Sequence, residues 1–303
     1  MAESSNKYYV PDSSPWPLSG SIGLFMIALG AGNFIQQSTD FGQNVLKHEG
    51  TGAGWLLLAG ALWLIATLFF WWRDTIKESI SGLHEGRLSG SYRQGMIWFI
   101  FSEVMFFAAF FGALFYVRVL VLPWLSGEGN NAMTNQLLWP LFEGLWSPLS
   151  IPSTEGFTPA TGIVGAWGVP AINTALLLTS GATLTWAHWG LFKKNRGQLI
   201  AGLALTVLLG SVFMVLQVQE YAHAMNDLSL TFNSGIYGSL FYLMTGFHGA
   251  HVTLGVLMLT VILARSIKGH FTPENHFAFE GVAWYWHFVD VVWLILFVFI
   301  YWV

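Results

Sequence analysis

Seven stretches of this chain carry few or no charges and are about as long as a helix must be to cross the hydrocarbon of a bilayer. They run over 18–35, 53–72, 94–117, 169–192, 199–218, 236–264 and 281–303. Continuous apolar runs of this length argue for helices. Barrel strands would be shorter and would alternate. Only 9% of the 303 residues are charged, and 54% are hydrophobic. A soluble fold of this size cannot cover its surface with so few charges. A cytosolic globular enzyme, a disordered chain and a basic nucleic-acid binder are therefore excluded. The expected fold is all-α: a polytopic membrane protein of seven transmembrane helices, read as one domain over 1–303. The first ten residues show no basic segment followed by an apolar one, so no cleaved signal peptide is expected.

Of the twelve Lys and Arg residues, ten fall on one side of such a bundle: Lys7, Arg73, Lys77, Arg87, Arg93, Lys193, Lys194, Arg196, Arg265 and Lys268. Lys47 and Arg118 fall on the other. Positive residues stay inside, which places the N-terminus in the cytoplasm and the C-terminus outside. The longest outer loop, 123–168, contains Pro123, Pro140, Pro148, Pro152 and Pro159 and is expected to lack regular helix. Its tryptophans (124, 139, 146 and 167) suit a membrane interface or a partner.

Glu103 lies about ten residues into the third span, about 15 Å deep at the helical rise. A carboxyl at that depth must be protonated or partnered. It reads as a proton-handling group, with a neutral hydrogen-bond donor between two helices as the alternative. His248 and His251 lie three apart in TGFHGAHVTLG and share a helix face. They read as interhelical hydrogen-bonding groups near Gly246, Gly249 and Gly255, or as metal ligands. His287 and Asp290 repeat the spacing in the last span, and with the two histidines form a candidate polar seam. Glu220 and His223 form one Glu-x-x-His, where a di-iron bundle needs two plus further helical Glu. Glu103 and Asp290 are read as the only acids deep in spans. His188 with His248 or His251 is a weak haem-ligand signal. Cys is absent, which removes thiolate sites and disulfides. Trp72, Arg73, His84 and Arg265 combine aromatic and basic groups at the inner leaflet; by composition they read as ordinary interfacial-belt and positive-inside residues or as a phospholipid-headgroup site.

Several strings resemble the subunit III family of cytochrome c oxidase, in the haem–copper oxidase superfamily. They are SPWPL (14–18), WWRDTIKES (71–79), GMIWFIFSEVMFF (95–107), NTALLLTSGATLTWAH (173–188), YGSLFYLMTGFHGAHVTLG (237–255) and HFAFEGVAWYWHFVDVVWLILFVFIYW (276–302). The resemblance implies helices near 18–37, 53–72, 93–122, 169–192, 198–222, 235–265 and 279–302, the first two splayed from a five-helix bundle. It implies an accessory subunit with no catalytic residue, haem or metal of its own. Haem and copper belong to partner subunits, chiefly subunit I, with subunit II and small subunits alongside and cytochrome c as donor. Structural phospholipids are implied in a cleft near Trp72, Arg73, His84, Glu103 and Arg265. The role implied is to stabilise subunit I, support proton uptake and oxygen access, and preserve the active site through many turnovers in a bacterial-type inner membrane. Alternatives are a quinol-oxidase subunit III, whose members usually lack the first two helices, and a stand-alone proton-coupled transporter. Trp189 stands where the family often has a second His after His188. The outer loop 123–168 matches none of these strings and is longer than in mitochondrial members; it is expected to contact a neighbouring subunit or a cytochrome c. Acidic Glu128, Glu143 and Glu155 on it could attract a basic one.

Overall fold

A computed structural model describes residues 9–10, 13–38, 53–84, 87–146, 149–154 and 156–302. Lys7, Lys47, Pro148 and Glu155 lie outside them. The described residues hold a long helix at each of the seven expected positions: α1 (Trp16–Ser38), α2 (Ala53–Ile80), α3 (Arg87–Tyr116), α5 (Val169–Phe192), α6 (Arg196–Asn226), α7 (Ile236–Ile267) and α8 (Phe277–Leu296). A shorter α4 (Ala132–Leu138) lies in the outer loop. Six of the long helices are apolar enough to cross a membrane by length and composition. The exception is α5, which has no charge but contains Asn173, Ser180 and His188 and threonines 174, 179, 183 and 185. Its hydroxyls fold back onto their own helix: Thr174 donates to the Pro170 carbonyl at 2.8 Å, Thr179 to Ala175 at 2.7 Å and Thr185 to Gly181 at 3.0 Å. Each hydroxyl thereby finds an acceptor within its own helix, so the threonines need no water or neighbouring helix as a partner.

The chain falls into two compact units, Met1–Ser91 and Tyr92–Val303. In the first, α1 packs along α2. A Cβ added to Gly30 would come within 2.5 Å of the Leu57 backbone nitrogen, and one on Gly60 within 2.8 Å of that of Ile27. Small residues that admit a neighbouring backbone are how helices associate in lipid. Gly30 therefore serves the contact between α1 and α2 rather than interrupting a helix. Ser19 and Thr67 share a hydrogen bond across the pair at 2.8 Å, and the Trp63 indole donates to the Ser19 carbonyl at 3.0 Å. Helix α2 passes the expected end at residue 72 by two further turns, because hydropathy marks where lipid ends and not where a helix must. Asp74 pairs there with Arg73 at 3.6 Å and with Lys77 at 3.4 Å.

In the second unit α5, α6, α7 and α8 pack in sequence order, and α8 closes back onto α5. Trp286, Trp293, Tyr285, Phe213 and Phe241 fill the centre. Helix α3 docks through large side chains: Phe106 meets Phe247 edge-on at 5.1 Å, and Phe99 stacks on Tyr285 at 6.0 Å. The Arg93 guanidinium donates to Glu280 at 2.9 Å, tying the first turns of α3 to those of α8.

The outer loop corrects the expectation that its prolines exclude regular helix. Helix α3 runs on through a π turn (Val117–Val121) into Leu122–Leu125, with Pro123 in the first turn of that short helix, and α4 follows. Pro123 directly follows the π turn, where Leu122 already bonds five residues back to the Val117 carbonyl and the ordinary i→i−4 ladder is interrupted, so the chain accommodates its missing N–H. The segment 132–138 contains no proline.

Candidate functional site

Glu103 and His251 meet between α3 and α7. The Glu103 Oε2 and His251 Nε2 atoms are 2.9 Å apart, and the side chains are 21% and 17% exposed. The other ring nitrogen, Nδ1, lies 2.6 Å from the Phe247 carbonyl. A carbonyl only accepts, so Nδ1 must carry a hydrogen. One proton is then left for Nε2 and Oε2 to share. It rests on the carboxyl, which donates to a neutral imidazole, or on the imidazole, which donates to a carboxylate. Both arrangements are neutral overall, which is what low-dielectric surroundings demand of a buried pair. Phe106 and Phe107 lie against the ring, with centroids 6.0 and 5.1 Å away. The Tyr285 hydroxyl donates to the His251 carbonyl at 3.4 Å. The arrangement can hold a single proton and move it over a short distance.

The other residues of the candidate seam have separate partners. His248 is fully enclosed, with its Nε2 3.2 Å from the Val289 carbonyl and its ring 5.1 Å from that of Trp293. His287 reaches Thr185 at 3.4 Å and lies 3.6 Å from Asp290. Asp290 presses on the backbone of α5, so close that a Cβ on Gly181 would come within 2.5 Å of its Oδ2. Of the three glycines near the histidines, Gly255 receives a bulky neighbour, Trp286, whereas Gly249 has open space beside it. His188 stacks on Phe192 and Phe279 at 5.0 and 4.9 Å. Among the described residues, no group of three or more His, Asp or Glu could together hold a metal ion.

The lipid candidates divide between the two units. In the first, Trp72 is exposed, Arg73 lies over the Phe70 ring at 5.2 Å, and His84 meets Glu78 at 3.3 Å. In the second, Arg265 is only 7% exposed and lies over the Phe271 ring at 4.6 Å.

Glu220 is the residue that sequence reasoning missed. The fifth apolar span ends at 218 and leaves it outside, and the helix implied over 198–222 includes it without giving it a role; α6 continues to Asn226 and buries Glu220 to 2% exposure. Glu103 and Asp290 are therefore not the only acids inside the bundle. The signal was available in the buried stripe Thr206, Gly210, Phe213, Gln217, Glu220, Ala224, at steps of three and four. The neighbouring half of the Glu-x-x-His, His223, turns away to Asp227 at 2.6 Å.

The family model described as cytochrome c oxidase subunit III matches residues 6–126 and 132–303. The chain belongs to the cytochrome c oxidase subunit III family. Curated proteins named cytochrome c oxidase subunit 3 are similar along their whole length. That of Formosania lacustris is 41% identical and those of Cyprinus carpio and Pongo abelii 40%, each over 303 residues, all of this chain and 99% of the relative. The match includes the outer loop from residue 132 onward, so the absence of a family string in 123–168 does not set that loop apart. Only 127–131, between the helical extension of α3 and α4, falls outside. Membership makes the chain a subunit of an oxidoreductase complex, with other oxidase subunits as its company.

Proposed function

We propose that this subunit III chain is an accessory core subunit of a proton-pumping aerobic terminal oxidase, with no redox centre of its own. It stabilises subunit I, and with subunit II and small subunits it forms a complex that takes electrons from cytochrome c. It supports proton uptake and oxygen access next door rather than performing the oxygen chemistry. The observation that carries this reading is the Glu103–His251 pair: a proton-holding group inside a span, with no substrate-reactive arrangement beside it. In the intact complex a hydrophobic carbodiimide, which reacts with protonated carboxyls in apolar surroundings, is expected to label Glu103 ahead of the acids of the loops. Peptide mass spectrometry reads the outcome. Preferential labelling of Glu128 or Glu143 instead would contradict a proton-bearing Glu103.

All seven long helices cross a bacterial-type inner membrane in this reading, α5 included, with the N-terminus cytoplasmic and the C-terminus periplasmic. The segregation of ten of twelve basic residues supports it. The helices α1 and α2 support cytochrome c, rather than quinol, as donor to the complex.

Phospholipid is the remaining part of the proposal, with Trp72, Arg73, His84, Glu103 and Arg265 as contacts. Arg265 is a cation held near the inner end of α7 against an aromatic ring, with only a small part of its surface open to a headgroup. Arg265→Ala is expected to lower the amount of anionic phospholipid that co-purifies with the complex. Lipid extraction and mass spectrometry measure it. Unchanged content would return the residue to packing and topology.

A further inference from the structure

A buried chain of polar side chains links α5, α6 and the π turn that ends α8 (Phe297–Trp302). Asn173 Nδ2 donates to Gln217 Oε1 at 3.4 Å, and Gln217 Nε2 donates to Glu220 Oε1 at 3.2 Å. The Tyr301 hydroxyl donates to the same Glu220 Oε1 at 2.6 Å. Asn173 and Glu220 are 0% and 2% exposed. At the ends of this chain, Glu220 Oε2 and Asn173 Oδ1 are both buried with no hydrogen-bond partner.

Counting hydrogens decides how these groups fit. As a carboxylate, Glu220 would take both its donors on one oxygen and leave the other bare, in a buried site that disfavours an uncompensated charge. No ion pair among the described residues reaches it: His223, three residues on, is paired with Asp227. The other titratable groups around it are the phenols of Tyr221, Tyr237, Tyr242 and Tyr301, which bring no positive charge. As a neutral acid, its Oε1 is a carbonyl that accepts two hydrogen bonds, and its Oε2 is a hydroxyl that needs one acceptor. Asn173 Oδ1 is an acceptor that lacks a donor. The two deficits cancel.

We propose that Glu220 is a proton-binding site, held as a neutral carboxylic acid whose Oε2–H donates to Asn173 Oδ1, directly or through one buried water. One proton then ties α5 to α6. Its loss leaves a bare charge on Glu220 and an unsatisfied amide on Asn173, so the contact between α5 and α6 at this point depends on it, while the Tyr301 hydroxyl can donate to Glu220 in either state. The site differs from the Glu103 pair, where an imidazole stands ready to take the proton, and it does not depend on the role given to that pair.

Infrared difference spectra of the purified oxidase complex, wild type against Glu220→Gln, test the proposal. The variant is expected to lose one carbonyl-stretch band of a protonated carboxyl, one that shifts in deuterated water. Loss of intensity from the carboxylate stretches instead would overturn the neutral acid. The complex is also expected to assemble normally, because the glutamine amide offers the same carbonyl and an N–H where the acid has its hydroxyl; failure to assemble contradicts the proposal. Asn173→Leu keeps the acid and removes its acceptor. The acid band is expected to move to higher frequency in that variant, and an unmoved band would sever the link to Asn173.

Discussion

Trp286→Ala is expected to destabilise the C-terminal unit by about 3–5 kcal/mol, the range for removing a large aromatic side chain from a packed core. From α8 the Trp286 indole reaches three other helices. Its ring fills the space that Gly210 of α6 and Gly255 of α7 leave open: a Cβ at either would come within 2.7 Å of it. Its Nε1–H donates to the Ser180 hydroxyl of α5 at 2.9 Å. Truncation therefore opens a cavity at the point where four helices meet and removes the donor to a buried hydroxyl. Gly255→Val attacks the same contact from the other side by overpacking, at an expected cost of about 1–3 kcal/mol. The thermal midpoint for loss of the assembled complex in detergent measures both. An unchanged midpoint for Trp286→Ala would show that this ring does not organise the bundle.

The second large effect separates the two members of the Glu103–His251 pair. His251→Leu leaves the Glu103 carboxyl without its partner and is expected to cost on the order of 1–3 kcal/mol, the penalty for an unsatisfied buried polar group. Glu103→Gln should be nearly silent for assembly. With Nδ1–H fixed on the Phe247 carbonyl, the His251 Nε2 lone pair accepts from the new amide as it would from a neutral acid. The asymmetry is the informative result, and the yield of complex on gel filtration reads it. Equal losses for both variants would make the pair an obligate ion pair. No loss for either would mean that the contact has no structural weight, leaving only a role in proton handling to test.

Much of this architecture was legible because lipid imposes long uncharged runs and interrupts them with basic loops. The position of α5 could be read from its lack of charge alone, although its threonines lower its apolarity; backbone carbonyls absorb them locally. The placement of Glu103 and His251 within long helices was also legible, from the span positions. Their meeting was not, since spacing says nothing about which helices touch. The residues on one face of α7 show the limit: His248 serves α8 and His251 serves α3, from positions three apart. The role of Gly30 was not legible, because its value lies in the neighbour it admits, Leu57. Glu220 was lost to a boundary drawn by hydropathy two residues before it, although the buried stripe continues to Ala224. The helical extension of α3 beyond Pro123 was hidden because a proline count does not say where in a turn each proline falls.

The central claim is that the chain supports redox chemistry carried by its neighbours. The most direct measurement is to purify the tagged chain from its native membrane in mild detergent, identify what comes with it, and then dissociate the complex and record the visible spectrum of each part. The other oxidase subunits are expected in stoichiometric amounts, with all of the haem remaining on them and none on this chain. Stoichiometric haem on the isolated chain, or a chain that purifies alone and moves protons across liposomes without partners, would contradict it.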